Sequence, residues 1–301
     1  MQDLHELPKL RDSLSYLYIE RAVIERDQKA VEFLNEEGRV FIPAASLGVL
    51  MLGPGTSITH AAVKTLAENG VTLLWTAQDG FNFYAQGMGE TRKAYHLLRQ
   101  VEMLSDPQTR EQVVLRMYTK RFATQLETGL TLPQIRGYEG VRVRKAYQEA
   151  SRKYGVPWKG RRYDRGNWDN SDPINRALSA ANALLNGLCH VAIVSGGYSP
   201  GLGFIHTGKQ LSFVYDVADL YKVELTIPTA FKVVSESQAS VESRTRAACR
   251  LKFHEARLLR RILPDIDELL QITDEYERSA GDVDADPALP EPLWEELENE
   301  E

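Results

Sequence analysis

The amino-acid sequence predicts an α+β fold, with a small β-rich domain followed by a mainly α-helical one. Three observations carry this: β-rich runs punctuated by turn residues up to about residue 86, helical periodicity from Glu90 onward, and an acidic, proline-containing end from Pro264. The expected domains are 1–86, 87–263 and a partly disordered tail, 264–301.

The β-rich runs cover 14–19, 30–34, 40–43, 71–75 and 81–84, with Asn35-Glu36-Glu37-Gly38 and Gln78-Asp79-Gly80 as turns between them. One helix interrupts the strands: Ser57 or Thr59 caps it, residues 61–67 fill it and Asn69-Gly70 ends it. Gly87-Met88-Gly89 is the expected hinge.

Beyond the hinge, Ser171 can cap a helix with Pro173 just inside, and Ile174, Leu178, Ala181, Leu185 and Leu188 recur on one buried face. That helix stops at Gly196-Gly197, and a glycine loop runs on to Gly203. A helical run at 212–222 follows, then a helix near 241–263 that would put Arg246, Arg250, Arg257 and Arg261 on one face. The end, with Pro287, Pro290 and Pro292 among acids, has too few apolar groups to fold by itself.

In bulk the chain is ordinary: 301 residues, 43% hydrophobic, 36 Lys plus Arg against 42 Asp plus Glu, net charge −6. No uninterrupted run approaches the roughly 18 apolar residues of a membrane span, and Met1-Gln2-Asp3-Leu4-His5-Glu6 lacks a signal peptide's basic flank. Cys189 and Cys249, both in expected helices, fit a reducing cytoplasm rather than a disulfide framework.

The net charge hides a split. Residues 264–301 hold fifteen acids and one base, −14, so the preceding residues carry −6 + 14 = +8. Basic residues cluster at 136–176 (eleven against five acids) and 239–263 (seven against two). Such clusters suit a phosphate backbone, whose neutralisation releases counterions, although solvated helix faces look the same in sequence.

Four residues can carry chemistry. If a helix begins in Arg136-Gly137-Tyr138-Glu139-Gly140, Glu139 lies on the side of Val143, Ala146 and Ala150, which a helix normally buries. Taken alone it is a helix-start acid paired with Arg142. His206, between glycine turns, is placed to face a cleft, though a lone loop histidine is more often structural. Asp216 and Asp219 are one helical turn apart; alone they are surface acids with Lys222 as partner. As a set, two or three carboxylates and an imidazole make a mostly oxygen site suited to Mg²⁺ or Mn²⁺ rather than Zn²⁺. A cation there stabilises phosphoryl oxygens and activates an attacking hydroxyl. The glycine loop fits no nucleotide-binding fingerprint.

Several stretches together resemble the CRISPR-associated protein one family, the integrase of spacer acquisition, in its type I-E branch. They are Met51-Leu52-Gly53-Pro54-Gly55-Thr56, Thr59-His60-Ala61-Ala62-Val63, Arg136-Gly137-Tyr138-Glu139-Gly140, Gly160-Arg161-Arg162-Tyr163-Asp164, Gly203-Phe204-Ile205-His206-Thr207-Gly208-Lys209 and the run 211–219. The resemblance spans about residues 11–262. It implies a β-sandwich N-terminal domain that helps form a homodimer, and an α-helical catalytic, DNA-binding domain. It also implies a metal-dependent DNA endonuclease and integrase of antiviral defence, which joins 3′-hydroxyl ends of prespacer DNA to the repeat array by transesterification. The family's catalytic metal ligands fall on Glu139, His206 and Asp219, with Asp216 as supporting acid. Positions near bound DNA fall on Tyr163, Trp168, Lys209 and Tyr215, and Arg136, Arg161 and Arg162 are expected as further DNA contacts. The aromatics would stack on unpaired bases, Lys209 would meet a phosphate, and the arginines would hold the backbone. The resemblance further implies a small companion protein, one companion dimer being flanked by two integrase dimers. Where relatives place an aromatic wedge at the duplex fork this chain has Arg21, with Tyr16 and Tyr18 nearby but off register.

Two alternatives stay open from the residues. A general metal-dependent nuclease would use water as nucleophile, and a non-catalytic DNA-bridging component would use the same polar cluster structurally.

Overall fold

The structure, a computed structural model, describes residues 16–28, 30–36, 38–77, 83–87, 94–122, 130–161, 172–273 and 276. Its first part is two four-stranded sheets. Strands β1 (Tyr16–Ile19), β5 (Val49–Leu52), β7 (Thr72–Thr76) and β8 (Phe83–Gly87) form one, in the order β1-β5-β7-β8, parallel except for β8. The other, ordered β4-β3-β2-β6, joins β2 (Val23–Asp27), β3 (Ala30–Asn35), β4 (Gly38–Pro43) and β6 (Ser57–Ile58). Helix α1 (His60–Glu68) begins at Thr59, whose hydroxyl accepts the Ala62 N–H, as the cap rule predicts.

Ile24 and Phe33 from one sheet, Leu50, Leu52 and Leu73 from the other, and Leu66 of α1 share one core. Strands β2, β5 and β6 escape the sequence rules. β5 is buried on both faces, so it shows no alternation: Leu50 and Leu52 face α1, while Val49 and Met51 meet Leu74 and Val191 of the helical part.

The helical part consists of α2 (Tyr95–Ser105), α3 (Pro107–Phe122), α4 (Leu132–Tyr154), α5 (Pro173–Ser195), α6 (Ser212–Ala218), α7 (Ile227–Glu236), α8 (Val241–Glu255) and α9 (Leu258–Leu270). A π-turn segment, Lys222–Thr226, leads into α7. α5 is the spine, packed by α6, α7, α8 and α9. It starts at Asp172 rather than Ser171, the Asp172 carboxylate accepting the Asn175 N–H. Among the described residues it is the one helix long and apolar enough to cross a membrane, with mean hydropathy 1.6 over 18 residues, and two-thirds of that window is buried in the bundle.

Two expectations change. The helix near 241–263 is broken at Ala256-Arg257, where Arg257 turns left-handed at φ 48°, so the four arginines do not share a face. Arg261 instead grips Glu224 with two bonds of 3.0 Å. The chain also does not become a tail at Pro264, because α9 runs through it: Ile262, Leu263, Ile266, Leu269 and Leu270 are buried, and that stripe outweighs the missing N–H of an interior proline. The first acids of the supposed tail are paired, Asp265 and Glu268 with Lys120, and Asp267 with the Tyr198 hydroxyl at 2.7 Å. Arg99 and Arg116 donate to the last carbonyls of α9, those of Leu270 and Leu269. The Gly87-Met88-Gly89 hinge lies mostly outside the described residues.

Candidate active site

The loop after α5 is built around Asp216. This carboxylate has no solvent exposure and accepts the backbone N–H groups of Phe204 (2.6 Å), Ile205 (3.0 Å) and His206 (2.9 Å). His206 Nδ1 lies 2.6 Å from its Oδ1. The carboxylate oxygens accept these bonds, so Nδ1 is the donor, the ring is fixed in direction, and Nε2 is the ring nitrogen that Asp216 does not engage. Asp216 is therefore no surface acid.

The loop is clamped from two other helices. Gln100 on α2, itself fully buried, donates to the Ser199 and Leu202 carbonyls and accepts the Ser199 N–H. Arg110 on α3 donates through Nε and Nη2 to the Phe204 carbonyl. Gly203 fits because it has no side chain: a Cβ there would lie 2.3 Å from the His206 carbonyl oxygen. The His206 ring reaches out, with 44% of its side chain exposed.

The other two carboxylates come from α4 and the end of α6. Glu139 faces inward, as the helical register predicts, and takes Arg142 in a two-pronged pair of 2.8 and 3.0 Å. Asp219 pairs with Lys222. Arg121, at the end of α3, stands between them, 3.8 Å from Glu139 and 3.6 Å from Asp219. Burial alone would raise the Asp219 carboxyl, but the Lys222 and Arg121 cations, the Lys222 hydrogen bond and the His206 ring hold it below the ordinary value. The partners suggested by sequence spacing, Arg142 for Glu139 and Lys222 for Asp219, are thus present alongside the convergence on Arg121.

The remaining expected residues are dispersed. Tyr215 stands edge-on to His206, ring centres 5.9 Å apart. Arg136 and Lys209 are exposed. Arg161 ties down the start of α5 through Asn175 and Ser179. Arg162, Tyr163 and Trp168 lie outside the described residues. Tyr18 donates to Glu20 at 2.7 Å, and Arg21 is exposed with φ 52°. Sequence spacing gave no signal for Gln100, Arg110 or Arg121, which lie 18 to 102 positions from the residues they serve. Burial pushes the Cys249 thiol up to about 12 and raises that of Cys189 as well, so neither supplies a nucleophile.

No three His, Cys, Asp or Glu side chains among the described residues are gathered closely enough to grip an ion as they stand; Arg121, Arg142 and Lys222 supply the counter-charge. The donor chemistry nevertheless fits a hard dication: two carboxylates plus an imidazole nitrogen oriented by a buried acid.

Fold and site define a class, an α+β protein whose helical part sets two carboxylates among three cations, beside a loop that carries one oriented imidazole. The model of the CRISPR associated protein Cas1 family matches residues 15–129 and 115–261. The CRISPR-associated endonuclease Cas1 2 of Thermus thermophilus is 53% identical over 299 residues, covering 99% of this chain and 91% of that protein. The CRISPR-associated endonuclease Cas1 of Escherichia coli is 36% identical over 292 residues, covering 96% and 95%. A crystal structure of a TtCas1–DNA complex matches with a TM-score of 0.79 at 55% identity, covering 88% of this chain and 99% of that one. A casposase bound to integration product shares the fold, with a TM-score of 0.54 at 14% identity over 87% and 96%. This chain belongs to the Cas1 family.

Proposed function

We propose that this protein is a metal-dependent DNA endonuclease and integrase of CRISPR adaptation, of the type I-E branch, acting in the cytoplasm. It joins 3′-hydroxyl ends of prespacer DNA to the repeat array by transesterification. The observation that carries this is the pair Glu139 and Asp219 facing one arginine, with the Asp216-oriented His206 acting on Asp219, in a chain 53% identical to a named CRISPR-associated endonuclease. The TtCas1–DNA structure supports DNA as the partner.

Glu139, His206 Nε2 and Asp219 would hold Mg²⁺ or Mn²⁺, which when bound neutralises developing charge on the attacked phosphate. Asp216 fixes the imidazole in direction through the bond at Nδ1. Arg142 and Lys222, partly exposed, are free to turn from the carboxylates toward DNA phosphates. Arg136, Arg161, Arg162, Lys209, Tyr163, Trp168 and Tyr215 are the proposed DNA contacts. The exposed Val23, Leu34 and Phe41, on the outer face of the second sheet, favour the homodimer. The companion dimer, flanked by two such dimers, completes the proposed assembly.

Glu139→Ala tests the reading: the variant should fold and bind DNA yet lose joining of a labelled prespacer to a repeat plasmid. Undiminished joining would sink it. Cleavage without joining would favour the general nuclease, and absence of carboxylate-dependent Mn²⁺ binding the non-catalytic bridge.

A further inference from the structure

We propose that Arg121 is a positioning residue for this reaction, a fixed internal counter-charge that holds Glu139 and Asp219 in register with each other. The inference rests on the metal-dependent reading of the site. Three cations face the two carboxylates, and they differ in how freely they can leave. Arg142 and Lys222 keep 22% and 28% of their side chains exposed, whereas Arg121 keeps 4%. Its guanidinium touches both acids at once, Nη1 toward Glu139 Oε1 and Nη2 toward Asp219 Oδ2. Nη2 also donates to the Asp216 carbonyl at 3.2 Å, and the Tyr118 ring backs the group at 5.3 Å. One side chain on α3 therefore ties together the α4 acid, the α6 acid and the backbone of the residue that orients His206.

Spacing and satisfaction argue for more than core stability. An arginine that serves only to stabilise a buried carboxylate makes two short bonds to it, as Arg142 does to Glu139. Arg121 stands well beyond that distance from each acid, and its buried Nε–H has no hydrogen-bond partner. An unpaired buried donor costs stability, so this placement is unfavourable for the fold taken alone. The guanidinium's planar fork spans two acids where a lysine would reach one. It holds the carboxylates at a set separation while leaving them able to take other partners.

The test uses the full-length protein and Mn²⁺ alone as probe. Mn²⁺ affinity is measured by electron paramagnetic resonance without DNA, alongside thermal melting, DNA affinity and prespacer joining. Arg121→Met should remain folded, weaken Mn²⁺ binding about tenfold or more and slow joining by a similar factor, as for other residues that orient ligands. DNA affinity should stay close to wild type, because the guanidinium is buried. Arg121→Lys, which keeps the charge but not the fork, should fall between. Wild-type Mn²⁺ affinity and joining in either folded variant overturns the proposal. Failure of both variants to fold also overturns it, since Arg121 would then be a core residue only. A wild-type protein that binds no Mn²⁺ overturns both this inference and the functional reading, and the wild-type measurement alone reveals that.

Discussion

His206 Nδ1 and Asp216 Oδ1 lie 2.6 Å apart, joining the exposed tip of a glycine loop to a carboxylate with no solvent exposure. Four donors converge on that carboxylate, so its charge is what folds the loop back on itself. Asp216→Asn keeps the shape but turns an NH₂ toward groups that are already donors. It should cost about 3 kcal/mol in urea unfolding and also slow joining. An unchanged urea midpoint would mean that the charge does not hold the loop.

Glu139, Asp219 and their cationic neighbours were legible in sequence because helical spacing fixes who meets whom: Arg142 and Lys222 are each three residues from their acids. The strands with clear turn signals were legible for the same local reason. Asp216 misled, because a carboxylate on a short helix reads as a surface acid until the loop that covers it is placed. Gln100, Arg110 and Arg121 had no local signature at all, since their partners come from α4, α6 and the glycine loop, which only tertiary packing brings near. The break at Arg257 was masked by helix-forming neighbours, and α9 by the Pro264 inside it.

Glycines 203 and 137 should respond oppositely to alanine. At Gly203 the new Cβ would sit 2.3 Å from the His206 carbonyl oxygen and 2.8 Å from Ser212, backbone contacts that cannot swing aside. Gly203→Ala should therefore cost about 2 kcal/mol or more and displace His206. Gly137, inside α4, has nothing within 4 Å of its Cβ position, so Gly137→Ala should gain about 0.5–1 kcal/mol. Equal effects in thermal melting would show that the tight packing at Gly203 is not what distinguishes them.

The acidic end divides at the close of α9 rather than at Pro264. A chain ending at residue 279 keeps the buried Ile266, Leu269 and Leu270 and the Arg99 and Arg116 bonds to the last carbonyls. It should unfold in urea much like the full chain. Ending at residue 263 removes four buried side chains, Ile266, Leu269, Leu270 and Ile272, worth about 1.5–3 kcal/mol each, and strands Lys120, Arg99 and Arg116. That chain should lose about 5 kcal/mol or fail to fold, and equal urea midpoints for the two would return α9 to the status of a dispensable tail.

His190 makes the body acid-sensitive. It lies on α5 with 6% exposure, and burial lowers its pKa from 6.5 to about 4. The native state thus holds the neutral ring, while the unfolded chain takes up a proton once the pH falls below 6.5. Stability from this group is complete above pH 6.5 and drains away as the pH drops toward 4, a total of about 3 kcal/mol. His190→Gln removes the titration, whatever it costs in packing at neutral pH. The stability gap between wild type and variant, from urea unfolding, should therefore shift by about 2.5 kcal/mol in the variant's favour between pH 7.5 and pH 4.5. Other acids titrate alike in both proteins and cancel in that difference, so a gap that stays constant with pH would mean His190 keeps an ordinary pKa in the folded state.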